Sequence, residues 1–123
     1  MSFLTARKRA AGSGAAGRGT EDHWWMTKSS AVLLILIPIF VFTYGPILGM
    51  DYAQAVNRLE SPFVALVGAL TLVASMLHFK NGVQSTILDY THGLTREGLI
   101  IAVTAFCYIL IAAGLYALAR IAL

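Results

Sequence analysis

Residues 61–90 read SPFVALVGALTLVASMLHFKNGVQSTILDY, and the rest of the architecture follows from how this stretch is organised. Its first 19 residues, 61–79, contain no Asp, Glu, Lys or Arg. A helix of ~20 residues crosses a bilayer core of ~30 Å at 1.5 Å per residue. Along it, small and polar residues recur at Gly68, Thr71, Ser75, His78, Gly82, Ser85 and Asp89, in alternating steps of three and four. That spacing places them on one face of a helix, while Val67, Leu70, Leu72, Val73, Met76 and Leu77 cover the others. Hydrocarbon offers a polar group no partner, so this face requires cover from protein or a cofactor.

Two further charge-free runs flank this one, residues 29–50 and 98–119, each of 22 residues. Together the three runs make 63 of the 123 residues, which leaves too little chain for a second core and excludes a soluble enzyme. A composition 58% hydrophobic and only 12% charged agrees. The fold class expected is an all-α membrane protein with three transmembrane helices, at about 29–50, 61–90 and 96–120. Pro38 and Gly45-Pro46 predict a kink in the first helix rather than a break. Residues 51–60 read as a short outside loop, and Pro62 suits the first turn of the second helix. In the third helix, Ala113 and Ala117 have the spacing that permits close helix contact. The single cysteine, Cys107, excludes an internal disulfide and any multi-cysteine metal site.

The cations set the orientation. Arg7, Lys8, Arg9, Arg18 and Lys28 precede the first run, Arg58 follows it, Lys80 and Arg96 follow the second, and Arg120 closes the chain. Cytoplasmic loops are enriched in Lys and Arg, so the amino terminus is expected in the cytoplasm and the carboxyl terminus in the periplasm. The net charge of +3 therefore reads as topology and attraction to anionic membrane lipid, with no nucleic-acid partner. Residues 1–28 form a basic amino-terminal segment expected to be flexible, ending in the interfacial pair Trp24-Trp25, beside which His23 reads as an interfacial polar residue. A cleaved signal peptide ending near Ala53-Gln54-Ala55 would need far too long a leader. In a eukaryote, residues 1–20 have the composition of a transit peptide.

An ionisable side chain at membrane depth marks a functional site by default, and His78 is such a residue. Two readings stand side by side: a hydrogen-bonded structural histidine, and an axial ligand of haem iron. Gly82 lies one turn further on the same face, where a missing side chain leaves room for a flat macrocycle. One histidine cannot complete a bis-histidine site, and His23 and His92 lie outside the spans, so a second ligand would come from another subunit. Asp89 and Tyr90 lie roughly 16–18 Å beyond His78 if the helix continues. A phenol there can donate to a carbonyl oxygen, and a carboxylate beside it can hold a cation or relay a proton. Taken singly, Tyr90 also reads as an interfacial anchor and Asp89 as an exposed or capping residue.

Taken together, His78-Phe79-Lys80-Asn81-Gly82 followed by Ile87-Leu88-Asp89-Tyr90 resembles a known pattern. It looks like that of the smaller hydrophobic anchor subunit of succinate dehydrogenase, respiratory complex II. The amino-terminal Arg7-Lys8-Arg9-Ala10, Gly19-Thr20-Glu21 and His23-Trp24-Trp25-Met26 are similar to α-proteobacterial members. The resemblance implies a bacterial inner-membrane location. It also implies that His78 is one axial ligand of a haem b shared with a larger cytochrome b anchor subunit. Tyr90 is then similar to the tyrosine that hydrogen-bonds a ubiquinone carbonyl, and Asp89 to the acidic neighbour that supports this site. The other partners implied are an iron–sulfur subunit and a flavoprotein subunit. One departure stands out: many members carry Arg before the first span, near the haem propionates, where this chain has Lys28 followed by Ser29-Ser30. Lysine neutralises a propionate as a point charge, without a bidentate fork.

The alternatives are a cofactor-free accessory subunit of another respiratory complex, a fumarate reductase anchor, and a small transporter with the polar stripe as its pathway. The last lacks the internal repeat or matched broken helices that transporters use.

Overall fold

The computed structural model describes residues 5–11 and 19–123. Its elements, in order, are α1 (Ala6–Ala11), α2 (Gly19–Tyr44), a 3₁₀ turn (Gly45–Gly49), α3 (Tyr52–Leu59), α4 (Pro62–Tyr90) and α5 (Gly93–Ala122). The chain is all-helical among the described residues, and three stretches are long and apolar enough to cross a membrane: Thr20–Gly49, Pro62–Tyr90 and Gly93–Ala122.

The second and third spans fall on the charge-free runs, and the first ends at Gly49, beside the expected residue 50, but starts earlier. It begins at Gly19 rather than near residue 29, so residues 19–28, part of the segment expected to be flexible, are helical. Glu21 and Asp22 sit in the first turn of α2, where carboxylates stabilise the exposed amide end of a helix. The remainder of the expected flexible segment, residues 1–4 and 12–18, lies outside the described residues. α2 runs through Pro38 without interruption and ends at Tyr44. Pro46 has no N–H to continue the α pattern, and the chain tightens into the 3₁₀ turn instead.

Residues 51–60, expected as a loop, are instead mostly helix α3. The Asp51 carboxylate caps it by accepting the Gln54 N–H at 2.9 Å. An Asp followed three residues later by Gln was the available signal. Pro62 occupies the first turn of α4, as its fixed φ and absent N–H allow. α5 begins at Gly93, whose φ of +62° reverses the chain after α4 in a conformation that disfavours a side chain. With only two residues, Thr91 and His92, between α4 and α5, the two helices must be antiparallel neighbours.

α4 is the central helix. α2 packs on one side of it and α5 on another, and α2 and α5 make no close backbone approach to each other. The buried side chains are accordingly few: Val64, Val67, Thr71 and Ile87 on α4, Thr43 on α2 and Cys107 on α5. Large apolar side chains such as Leu34, Phe42, Ile101 and Ile109 point outward. In water this would be costly. In a bilayer those surfaces meet lipid tails or a neighbouring subunit.

Candidate functional site

The polar stripe on α4 meets α2 over most of its length. Gly68 and Thr71 are buried, Ser75, His78 and Gly82 are half-buried, and Ser85 and Asp89 at the carboxyl end are exposed. Tyr44 lies at one end of this seam, its hydroxyl donating to the Val64 carbonyl at 2.9 Å. Gly68 is a point of close approach, because a Cβ there would run into the Tyr44 phenol. Thr71 spends its hydroxyl inside α4, on the Val67 carbonyl at 2.7 Å. Much of the stripe is therefore a helix–helix seam within one chain.

His78 is the exception. Its Nδ1 lies 2.8 Å from the Ser29 hydroxyl on α2, and that hydroxyl also lies 3.0 Å from the Met26 carbonyl one turn earlier. The other ring nitrogen, Nε2, has no hydrogen-bond partner among the described residues. Ser29 and His78 are 49 positions apart, and no sequence spacing announces their pairing. Ser29 is the member of the site that sequence reasoning passed over. The only available hint was a small polar residue directly after the last cation before the span.

Two crevices flank this pair. One, of about 250 Å³, is lined by Trp25, Lys28, Ser29, Val32 and Ala74, and is almost wholly apolar except for its lysine. The other, of about 370 Å³, mixes polar walls (Asp22, His23, Asn81, Gln84, Ser85) with apolar ones (Met26, Leu88). Lys28 and Ser29 thus stand on the wall of one crevice, with His78 behind Ser29. Gly82 faces Met26: a Cβ there would sit 3.6 Å from the Met26 methyl, an ordinary contact. The space beside Gly82 is therefore bordered by this chain's own α2, and not simply open.

The opposite seam, between α4 and α5, has different chemistry. Gln84 donates to the Thr104 hydroxyl at 2.9 Å, and the Lys80 ammonium lies over the Tyr108 ring, 5.8 Å from its centroid. Gly114 receives Leu72, as a Cβ at Gly114 would meet the leucine methyls. Lys80, two residues past His78, is thus turned toward α5 and away from the Ser29–His78 pair.

Asp89 and Tyr90 complete α4. The helix continues without a break from His78, so they stand roughly 16–18 Å further along its axis. Tyr90 is 81% exposed, and neither side chain has a hydrogen bond among the described residues. His78 and the Asp89-Tyr90 pair are therefore two separate places on one helix.

A haem needs from this chain one imidazole nitrogen with a free lone pair, held at membrane depth beside a space that accepts a ring. His78 can meet the first demand through Nε2, which is unpartnered while Nδ1 is engaged by Ser29. The apolar crevice with Lys28 on its wall adjoins Ser29 but does not take His78 into its lining. The imidazole is the part of the site that fits the group.

Three spans and an apolar exterior describe a small integral membrane protein, with one imidazole nitrogen left unpartnered among the described residues. A family model described as succinate dehydrogenase/fumarate reductase transmembrane subunit matches residues 1–117. The succinate dehydrogenase hydrophobic membrane anchor subunit of Paracoccus denitrificans is 40% identical over 123 residues, all of this chain and 95% of that protein. The anchor subunit of Archaeoglobus fulgidus is 30% identical over 90 residues, 71% of this chain and 77% of that protein. That of Rickettsia conorii is 27% identical over 113 residues, 89% of each chain. No solved structure matches. The chain belongs to the family of succinate dehydrogenase and fumarate reductase transmembrane subunits.

Proposed function

We propose that this chain is the smaller membrane anchor of a succinate:quinone oxidoreductase in a bacterial inner membrane, with its amino terminus in the cytoplasm and its carboxyl terminus in the periplasm. His78 would hold the iron of a haem b shared with the larger cytochrome b anchor subunit. The observation that carries this reading is the half-buried His78 ring, tied by Nδ1 to Ser29 and unpartnered at Nε2. When bound, the haem supplies a one-electron store within the membrane.

The chain's own residues do the rest. Ser29 and α2 hold the imidazole against rotation. Lys28, on the crevice wall, offers a positive charge to a propionate. Gly82 keeps the next turn free of a side chain, which lets Met26 and α2 close beside His78. At the end of α4, Tyr90 presents a hydroxyl that donates to a ubiquinone carbonyl, and Asp89 beside it holds a cation or passes a proton. The iron–sulfur and flavoprotein subunits dock on the cytoplasmic side, where positive-inside counting places Asp89 and Tyr90. Neither a dinucleotide motif nor a cysteine cluster occurs in this sequence, so flavin and iron–sulfur chemistry belong to those partners.

The test is an absorbance spectrum of the purified complex before and after dithionite, with and without His78→Ala. A reduced b-type alpha band that shifts or vanishes in the variant is the expected result. An unchanged band at full haem stoichiometry would remove His78 from the site.

A further inference from the structure

Ser29 has one proton and two close neighbours. Its oxygen lies 3.0 Å from the Met26 carbonyl oxygen and 2.8 Å from His78 Nδ1. Two oxygens held at that distance repel unless a proton lies between them, and a carbonyl has none to give. The serine proton is therefore committed to Met26, in the backbone-directed bond that helical serines commonly form. Only lone pairs remain on the Ser29 oxygen toward His78, so the hydrogen on that side must come from the ring. Ser30 also places its hydroxyl on the Met26 carbonyl, at 2.9 Å, but it is exposed and free to turn to other partners. Ser29 is half-buried in the seam and is not.

We propose that Ser29 is the positioning residue for His78: it accepts the Nδ1–H, sets the tautomer, and leaves the Nε2 lone pair as the one available to iron. This rests on the reading of His78 as an axial ligand. A hydrogen bond from the far nitrogen of a ligating imidazole orients the ring and strengthens it as a donor. A stronger donor favours the ferric over the ferrous state, and losing the acceptor raises the haem potential.

Redox titration of the assembled complex tests this, with haem content measured alongside. Ser29→Ala removes the acceptor, and Ser29→Cys keeps the volume but accepts only weakly. Both are expected to shift the ferric/ferrous balance by roughly 10-fold, which for one electron is about 59 mV upward. Ser29→Thr retains the hydroxyl and should titrate as the parent does. Ser30→Ala removes a hydroxyl from the same Met26 carbonyl without touching His78, and should also leave the potential in place. If Ser29→Ala yields no assembled complex, Ser29→Cys carries the measurement.

Parent-like potentials in the alanine or cysteine variants would overturn the proposal. So would an equal shift in Ser30→Ala, which would trace the effect to the helix backbone, or a shift in Ser29→Thr as large as that in Ser29→Ala. Failure of the underlying reading looks different: His78→Ala would then keep its haem and alpha band unchanged.

Discussion

The Tyr44 hydroxyl reaches across the α2–α4 seam to the Val64 carbonyl, 2.9 Å away, and it can do so because residue 68, one turn further along α4, has no side chain. The hydrogen bond and the glycine are one device. A Cβ at position 68 would occupy the place of the Tyr44 oxygen, and the phenol would have to leave its acceptor.

Gly68→Ala should therefore destabilise the complex by about 1–3 kcal/mol through overpacking. Tyr44→Phe removes only the hydroxyl and should cost about 0.6 kcal/mol, the average for hydrogen bonds between membrane helices. The double variant should be less destabilised than the two singles added together, because phenylalanine vacates the position that the new methyl needs. Thermal unfolding of the purified complex measures all three. Strict additivity would mean that the two residues do not share this space.

The other close approach should prove more forgiving. At Gly114 a new Cβ meets the outer end of the Leu72 side chain, which can change rotamer, rather than a phenol held by a hydrogen bond. Gly114→Ala should cost about 1 kcal/mol, the low end for overpacking, and Leu72→Ala in the same chain should recover part of it. A loss at Gly114 greater than that at Gly68, in the same unfolding experiment, would contradict this ranking of the two seams.

Gly82 separates small from large substituents. Alanine there makes an ordinary contact with the Met26 methyl at 3.6 Å, so Gly82→Ala should assemble with near-normal haem content. Gly82→Leu must displace Met26 and the α2 turn that carries Ser29, and should lower both assembly and haem. The readouts are the yield of purified complex and its haem-to-flavin ratio. Full haem in Gly82→Leu would show that α2 need not close beside His78.

Tyr90→Phe should leave stability and haem untouched, since the side chain is 81% exposed and makes no hydrogen bond among the described residues. What it removes is the hydroxyl that the proposed function assigns to a quinone carbonyl. Losing one neutral hydrogen bond, worth roughly 0.5–1.5 kcal/mol, lowers succinate–ubiquinone turnover by roughly 2- to 10-fold. Succinate oxidation with an artificial dye acceptor should stay at the parental rate. Wild-type quinone kinetics would leave Tyr90 as a membrane anchor and move the quinone contact elsewhere.

The three spans and the polar face of α4 could be read from the order of residues alone, because both are local properties. Absence of charge over a helix-length run is visible at any point along the chain, and so is the alternation from Gly68 to Asp89. The boundaries of α2 and the existence of α3 were harder to read. Trp24 and Trp25 look like residues ahead of a helix, yet Glu21 and Asp22 already stabilise its first turn. The Asp51 cap was present in the sequence but lay between two stronger apolar signals.

Tertiary packing settled what covers the stripe. Periodicity aligned Gly68 with His78 but carried no information about which partner each would meet. Contact between positions 44 and 68, or 29 and 78, depends on how far α2 slides along α4, and close packing at Gly68 and Tyr44 sets that register. Once the register is set, Ser29 falls opposite His78 and Met26 opposite Gly82, while Lys80 and Gln84 turn to α5. The residue types on a helix fix what each face can do, but only the packed neighbour fixes which nitrogen of a histidine is engaged and which is left without a partner.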